Sequence, residues 1–222
     1  MSITADALTW VAIILTITLL IGYELSVLWL QRHHPERLAR SAHATLRESW
    51  FAAISQCKGS ELLAVQTLRN SLMSATMTAS TAILGLVGAV SQMTPSLHAT
   101  FGQASPTMSD FTPRLVVELL LMAVLFASLV CSAMAVRYYN HAGFICAMPI
   151  DSVERVQWAD TCAGYLRRAG ILYSWGLRYL ILIAPILVAI MYPLAGPLVA
   201  LMTLLVLSRF DRFSDLPTQT TH

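Results

Sequence analysis

The chain has 222 residues, 56% of them hydrophobic and only 12% charged, with a formal net charge of +2 and a mean hydropathy of +0.64. A soluble domain carries about 25% charged residues, so this composition excludes an ordinary water-soluble globule. The small net charge also argues against a nucleic-acid-binding role.

Taken in chain order, the first apolar run extends from Leu8 to Leu30 and is interrupted only by Glu24. It is preceded by Asp6 and by no basic residue, so it reads as a retained anchor rather than a cleaved signal peptide. The segment that follows is basic and patterned. Leu38, Ala42, Leu46, Trp50 and Ile54 recur every four residues, while Arg37, Arg40, Arg47 and Glu48 occupy other positions. This predicts an amphipathic helix over 36–54, lying on the membrane interface or on the helix bundle. Gly59-Ser60 breaks the chain, and Ser60 is placed to cap a helix from Glu61 that continues into the second apolar run, Leu72 to Met93.

The connection from Thr94 to Pro113 is polar, turn-rich and free of basic residues. The third apolar run, Leu115 to Val136, contains Glu118. Beyond it, Asp151 and Glu154 have the spacing of a capping box, which predicts a helix from Ser152 to about Arg168, ended by Gly170. The last run, Leu177 to Leu207, is apolar apart from Arg178 and contains Pro185, Pro193 and Pro197. It is expected to form one tilted, proline-kinked helix, with a re-entrant or hairpin arrangement as the alternative.

A helix needs about 20 apolar residues to cross a bilayer. The predicted fold is therefore all-α integral membrane: one membrane domain over 1–222, with four transmembrane helices (8–30, 72–93, 115–136 and 177–207) and two amphipathic helices in the segments 31–70 and 137–176. Those two segments carry most of the arginines and the single lysine, Lys58. By the positive-inside rule they are cytoplasmic, with the N-terminus outside and the inner (plasma) membrane as the location. Four spans would leave the C-terminus outside as well, against which Arg209 and Arg212 argue mildly. Cys57, Cys131, Cys146 and Cys162 show no CxxC pair and no metal spacing. They read as apolar fillers rather than a disulfide framework.

Ionisable groups within spans are costly and are candidate functional sites. Glu24, Arg69, Asn70, Arg137, Asn140, His141 and Arg178 all fall near the cytoplasmic ends of the four runs. They form either an ion-pair network that pins the helices, with Glu24 neutralising one arginine, or a cytoplasm-facing pocket for an anion or an anionic lipid headgroup. Small residues recur at four-residue spacing in the second run, through Ser71, Ala75 and Ala79 and through Thr81, Gly85 and Ala89. Such spacing permits close helix packing, which places this run at the centre of the bundle or at an oligomer interface. No catalytic motif is present. His33-His34 lacks further ligands, so no metal, cofactor or enzymatic role is expected.

Several stretches resemble one family. Ala42-His43-Ala44 with Arg47 and Trp50, the run LLAVQTLRNSLMSATMTASTAIL from Leu62 to Leu84, VRYYNHAGF from Val136 to Phe144, SWGLRY from Ser174 to Tyr179, and Gly196-Pro197 are similar to elements of the domain-of-unknown-function 599 family. The resemblance implies a multi-pass membrane protein without an agreed activity. It raises the interest of Gln66, Arg69, Asn70, Arg137, Asn140, His141 and Arg178. Two roles follow as expectations. One is a structural or accessory membrane protein, acting as a homo-oligomer or with a membrane partner. The other is a small channel or transporter for an ion or anionic solute that uses the arginine cluster.

Overall fold

A computed structural model describes residues 2–33, 39–101 and 112–211. Every element found there is helical: α1 (Ser2–His33), α2 (Ala39–Ile54), α3 (Glu61–Phe101), α4 (Pro113–Ala147), α5 (Val153–Gln157), α6 (Ala159–Met191), a 3-10 turn (Pro193–Ala195) and α7 (Gly196–Asp211). Five helices are long and apolar enough to cross a membrane. Large apolar side chains such as Leu84, Phe126, Leu187 and Leu205 stand exposed around them. Soluble surfaces rarely carry so much apolar area, so these side chains belong in lipid.

The expected single kinked helix over 177–207 is instead two antiparallel helices. Pro193 pushes Tyr192 out of helical geometry, to φ −138° and ψ 86°. The 3-10 turn then reverses the chain, and Gly196-Pro197 opens α7, where a first-turn proline costs nothing. Both halves extend beyond the apolar run 177–207, the second as far as Asp211. α6 begins at Ala159 and is 33 residues long. The reversal into α7 also returns the chain to the end it would otherwise leave, so Asp211 lies beside Arg178.

α4 is the centre of the bundle, packed along α3 on one side and α6 on the other. α7 bridges α6 and α1, and α2 lies across α6. α3, expected at the centre of the bundle or at an oligomer interface, is at the edge. Its 41 residues reach about 62 Å, twice a hydrocarbon core of about 30 Å, so α3 projects well beyond the bilayer. One apolar core, through Leu20, Leu121, Leu182, Ile186 and Leu204, lies among the apolar spans. A second, through Phe51, Leu68, Tyr139, Cys146 and Leu166, joins α2 to the arginine-rich ends of α3, α4 and α6.

Local signals explain the remaining boundaries. Thr112 caps α4, its hydroxyl accepting from the Leu115 amide at 3.2 Å, with Pro113 in the first turn. α4 ends where Met148 turns extended before Pro149. Gly59, at φ 81°, makes the turn ahead of α3. Ser60 precedes α3 as expected, but its hydroxyl donates to the Ile54 and Cys57 carbonyls, closing the end of α2 instead. The cap of α5 is Ser152, not Asp151, which pairs with Lys58. Gly170 does not end a helix but lies buried within α6.

The buried face of α2 also differs from the expected stripe. Ala44, Phe51 and Ile54 face inward, while Leu46 is exposed. A strict four-residue repeat drifts by about 40° per step on a helix of 3.6 residues per turn, so positions 38 to 54 do not share one face. Leu38 lies outside the described residues.

Candidate functional site

The arginine-rich end holds a buried ion knot. Arg178 of α6 is 3% exposed. Its Nε donates to Glu24 Oε1 of α1 at 2.6 Å, and its Nη1 to Asp211 Oδ2 of α7 at 2.5 Å. The Tyr23 hydroxyl donates to the same Asp211 oxygen at 2.9 Å. The guanidinium also lies over the rings of Tyr23, 4.9 Å to the centroid, and Trp175, 5.9 Å. Cation, carboxylates and aromatic faces thus tie three helices at one point, the work for which a planar, forked guanidinium is suited. Glu24 Oε2 and Arg178 Nη2 are buried without a hydrogen-bond partner.

The other residues of the expected cluster do not join the knot. Arg69, Asn70, Arg137, Asn140 and His141 are all exposed on α3 and α4. The His141 ring lies 5.7 Å from that of Tyr165. Asn70 lines a cavity of about 220 Å³, together with Arg47, Ser74, Tyr139 and Tyr173. His33 stacks on Trp29, and His34 lies outside the described residues.

The half-buried arginine at that cavity is Arg47, which sequence reasoning placed on the polar face of α2. It reaches α6 because Gly170 has no side chain. A Cβ there would overlap the guanidinium, coming within 2.6 Å of Arg47 Cζ. Arg47 Nη1 donates to the His43 carbonyl at 3.3 Å. The nearby carboxylate, Glu48, is taken by Arg167 at 3.2 Å. A second cavity of about 310 Å³, walled by Leu46, Trp50, Leu68 and Leu166, also includes Arg47. Arg47 therefore stands between a polar chamber with hydroxyl and amide groups and an apolar one, an arrangement suited to an anionic headgroup with an attached chain.

Arg155 is a further buried arginine, which sequence reasoning counted only as a topology signal. Its Nη1 donates to the Ile145 carbonyl at 2.6 Å and its Nη2 to Ser55 Oγ at 3.4 Å. Its guanidinium lies 5.3 Å from the Phe51 ring centroid. It closes the C-terminal end of α4, where free carbonyls carry partial negative charge, and fastens the end of α2 to it. Nearby, the free thiols of Cys146 and Cys162 touch at 3.8 Å.

A close contact of small residues also lies between α4 and α6. Ser128 Oγ donates to the Gly176 carbonyl at 2.8 Å, and a Cβ at Gly176 would overlap Ser132 Oγ. A small-residue seam therefore joins α4 to α6. On α3, Ala75, Thr78 and Ala82 are buried, Ser71 and Ala79 are half-buried, and Gly85 is exposed. A Cβ at Gly85 would come within 2.9 Å of Leu125 Cδ2. Ser128 and Ser132, also four residues apart, carry the same small-residue signal on α4.

Five apolar helices, a buried tie between three of them and a basic end define a multi-pass α-helical membrane protein. The chain belongs to the family described as proteins of unknown function, DUF599, whose model matches residues 11–216. No curated protein and no solved structure matches it.

Proposed function

We propose that this chain is a non-enzymatic accessory protein of the inner (plasma) membrane. In this reading its arginine-rich end faces the cytoplasm and it acts by holding a membrane partner, or further copies of itself, at that leaflet. The observation that carries the reading is the closed state of Arg178. A transport path for anions needs an accessible guanidinium, and this one is taken up by two carboxylates and two aromatic faces.

Orientation rests on the positive-inside rule. Arg32, Arg47, Arg69, Arg137, Arg167, Arg168 and Arg209 share one end of the bundle, and the return of α7 adds Arg209 to that side. Exposed Arg69 and Arg137 stand where acidic phospholipid headgroups concentrate. Arg47, between its two chambers, is the site for one such headgroup.

Proteoliposomes test the reading. The full chain is expected to pass no chloride, phosphate or potassium above protein-free vesicles. It is expected to retain phosphatidylglycerol through purification in mild detergent, and Arg47→Gln to lose it. Sustained anion flux that Arg178→Ala abolishes, while the protein remains monodisperse, would establish the channel or transporter role instead.

A further inference from the structure

From Leu180, two residues beyond Arg178, up to Arg114, α3, α4 and α6 enclose a cavity of about 480 Å³, open on one side. That volume falls within the range of about 300–1,000 Å³ found for ligand sites. Its walls are almost wholly apolar, with Gly88 of α3, Leu121 of α4 and Leu187 of α6 among them. Along α4 it runs from Arg114 to Leu125, eleven residues or about 16 Å. That is half of a hydrocarbon core of about 30 Å, the depth of one leaflet.

The charged groups gather at one end of this cavity, whose lining also includes Thr81 and Gln92 of α3. Glu118 is 4% exposed. Its Oε1 accepts from Arg114 Nε at 2.8 Å, whereas its Oε2 is buried without any hydrogen-bond partner. A carboxylate oxygen within a membrane span and lacking a donor is costly, and here it belongs to a wall of the cavity. Arg114, mostly exposed at the rim, has spent only its Nε on Glu118. The rim therefore sets a carboxylate with one unsatisfied, buried oxygen beside spare guanidinium donors, with no net charge between the two side chains.

We infer that this cavity holds one phospholipid of that leaflet whose headgroup carries a primary ammonium beside a phosphate, as in phosphatidylethanolamine. The Glu118 side chain turns to present Oε2 to the ammonium, which donates to it; the phosphate accepts from Arg114, and an acyl chain fills the apolar walls. An anionic headgroup without an amine leaves Glu118 Oε2 unpartnered. A quaternary ammonium has no N–H to give it.

Gly88 supplies a clean perturbation, because a Cβ there meets nothing within 4 Å. Gly88→Phe places a ring in the cavity without displacing the fold. The full chain, in mild detergent, is titrated with dioleoyl phosphatidylethanolamine, phosphatidylcholine or phosphatidylglycerol and read by native mass spectrometry. Only adducts lost in Gly88→Phe are counted, which removes binding at the distant Arg47. Those adducts are expected to favour phosphatidylethanolamine by about tenfold or more, the worth of one charge-assisted hydrogen bond. Glu118→Gln, which still accepts from Arg114, is expected to lower phosphatidylethanolamine to the level of phosphatidylcholine. Equal retention of the three lipids, preference for phosphatidylglycerol, or full retention in Gly88→Phe would overturn the inference. None of these outcomes bears on flux or on the Arg47 chamber, so this site and the accessory role fail separately.

Discussion

Arg178→Leu removes the cation between Glu24 and Asp211 and leaves two part-buried carboxylates facing one another among apolar helices. Deleting one member of a buried pair costs about 3–5 kcal/mol, which is roughly 10² to 10³·⁵ in an opening equilibrium. Asp211→Asn keeps the Glu24 pairing and costs less, about 1.5–3 kcal/mol for one charged hydrogen bond. The neutral triple variant Glu24→Gln, Arg178→Leu, Asp211→Asn has no stranded charge, so it should recover most of the loss. The element expected to leave first is α7, held by its contacts with α6 and α1 and by this tie. Leu207 is buried on α7, so Leu207→Cys, in a Cys57→Ser background, reports undocking through its rate of maleimide labelling in detergent. Arg178→Leu should speed labelling strongly, and the triple variant should restore protection. If Arg178→Leu labels at the parent rate, or the triple variant is no better than the single one, the knot does not hold the helices.

Other lesions probe other joints. Gly176→Ala overpacks α4 against α6 at Ser132 and should cost about 1–3 kcal/mol, read as a lower melting temperature by thermal gel filtration. Gly170→Ala should expel Arg47 from its chamber and loosen α2; protease cleavage within residues 39–54 should rise together with loss of bound phosphatidylglycerol. Arg155→Met strips the end of α4 of its donor to the Ile145 carbonyl and should cost about 1.5–3 kcal/mol, again as a lower melting temperature. Asp151 accepts a hydrogen bond from Lys58 and holds its ammonium above the usual lysine pKa. The favourable pairing is therefore full below the ordinary lysine pKa and fades as pH rises past the raised one. Asp151→Asn should make this single lysine react faster with an acylating reagent at about pH 9, as measured by mass spectrometry.

Some of this was legible in the residues. The medium, the helical class and the pairing of Glu24 with an arginine follow from apolar run length and from depth along each run. Asp211 was hidden by the span count, since a four-helix chain puts it on the far side from Arg178. The proline-rich stretch 192–197 is compatible with a kink or a reversal; only tertiary packing of α7 between α6 and α1 selects the reversal. Gly170 illustrates a different limit. A glycine after a helical pattern reads as a terminator, whereas here it serves as a gap for a side chain more than a hundred positions earlier. Small-residue spacing likewise marks helices able to pack closely without saying which neighbour comes near, and α3 and α4 both carry it.

A reporter inserted directly after Asp211, paired with another at the start of α1, gives the parity of the crossings. Five crossings put the two on opposite sides of the membrane, the one after Asp211 sharing its side with a tag in the Cys57–Ser60 turn. Both reporters on the same side would mean that α7 never returns to Arg178, and the ion knot on which the account stands would not exist.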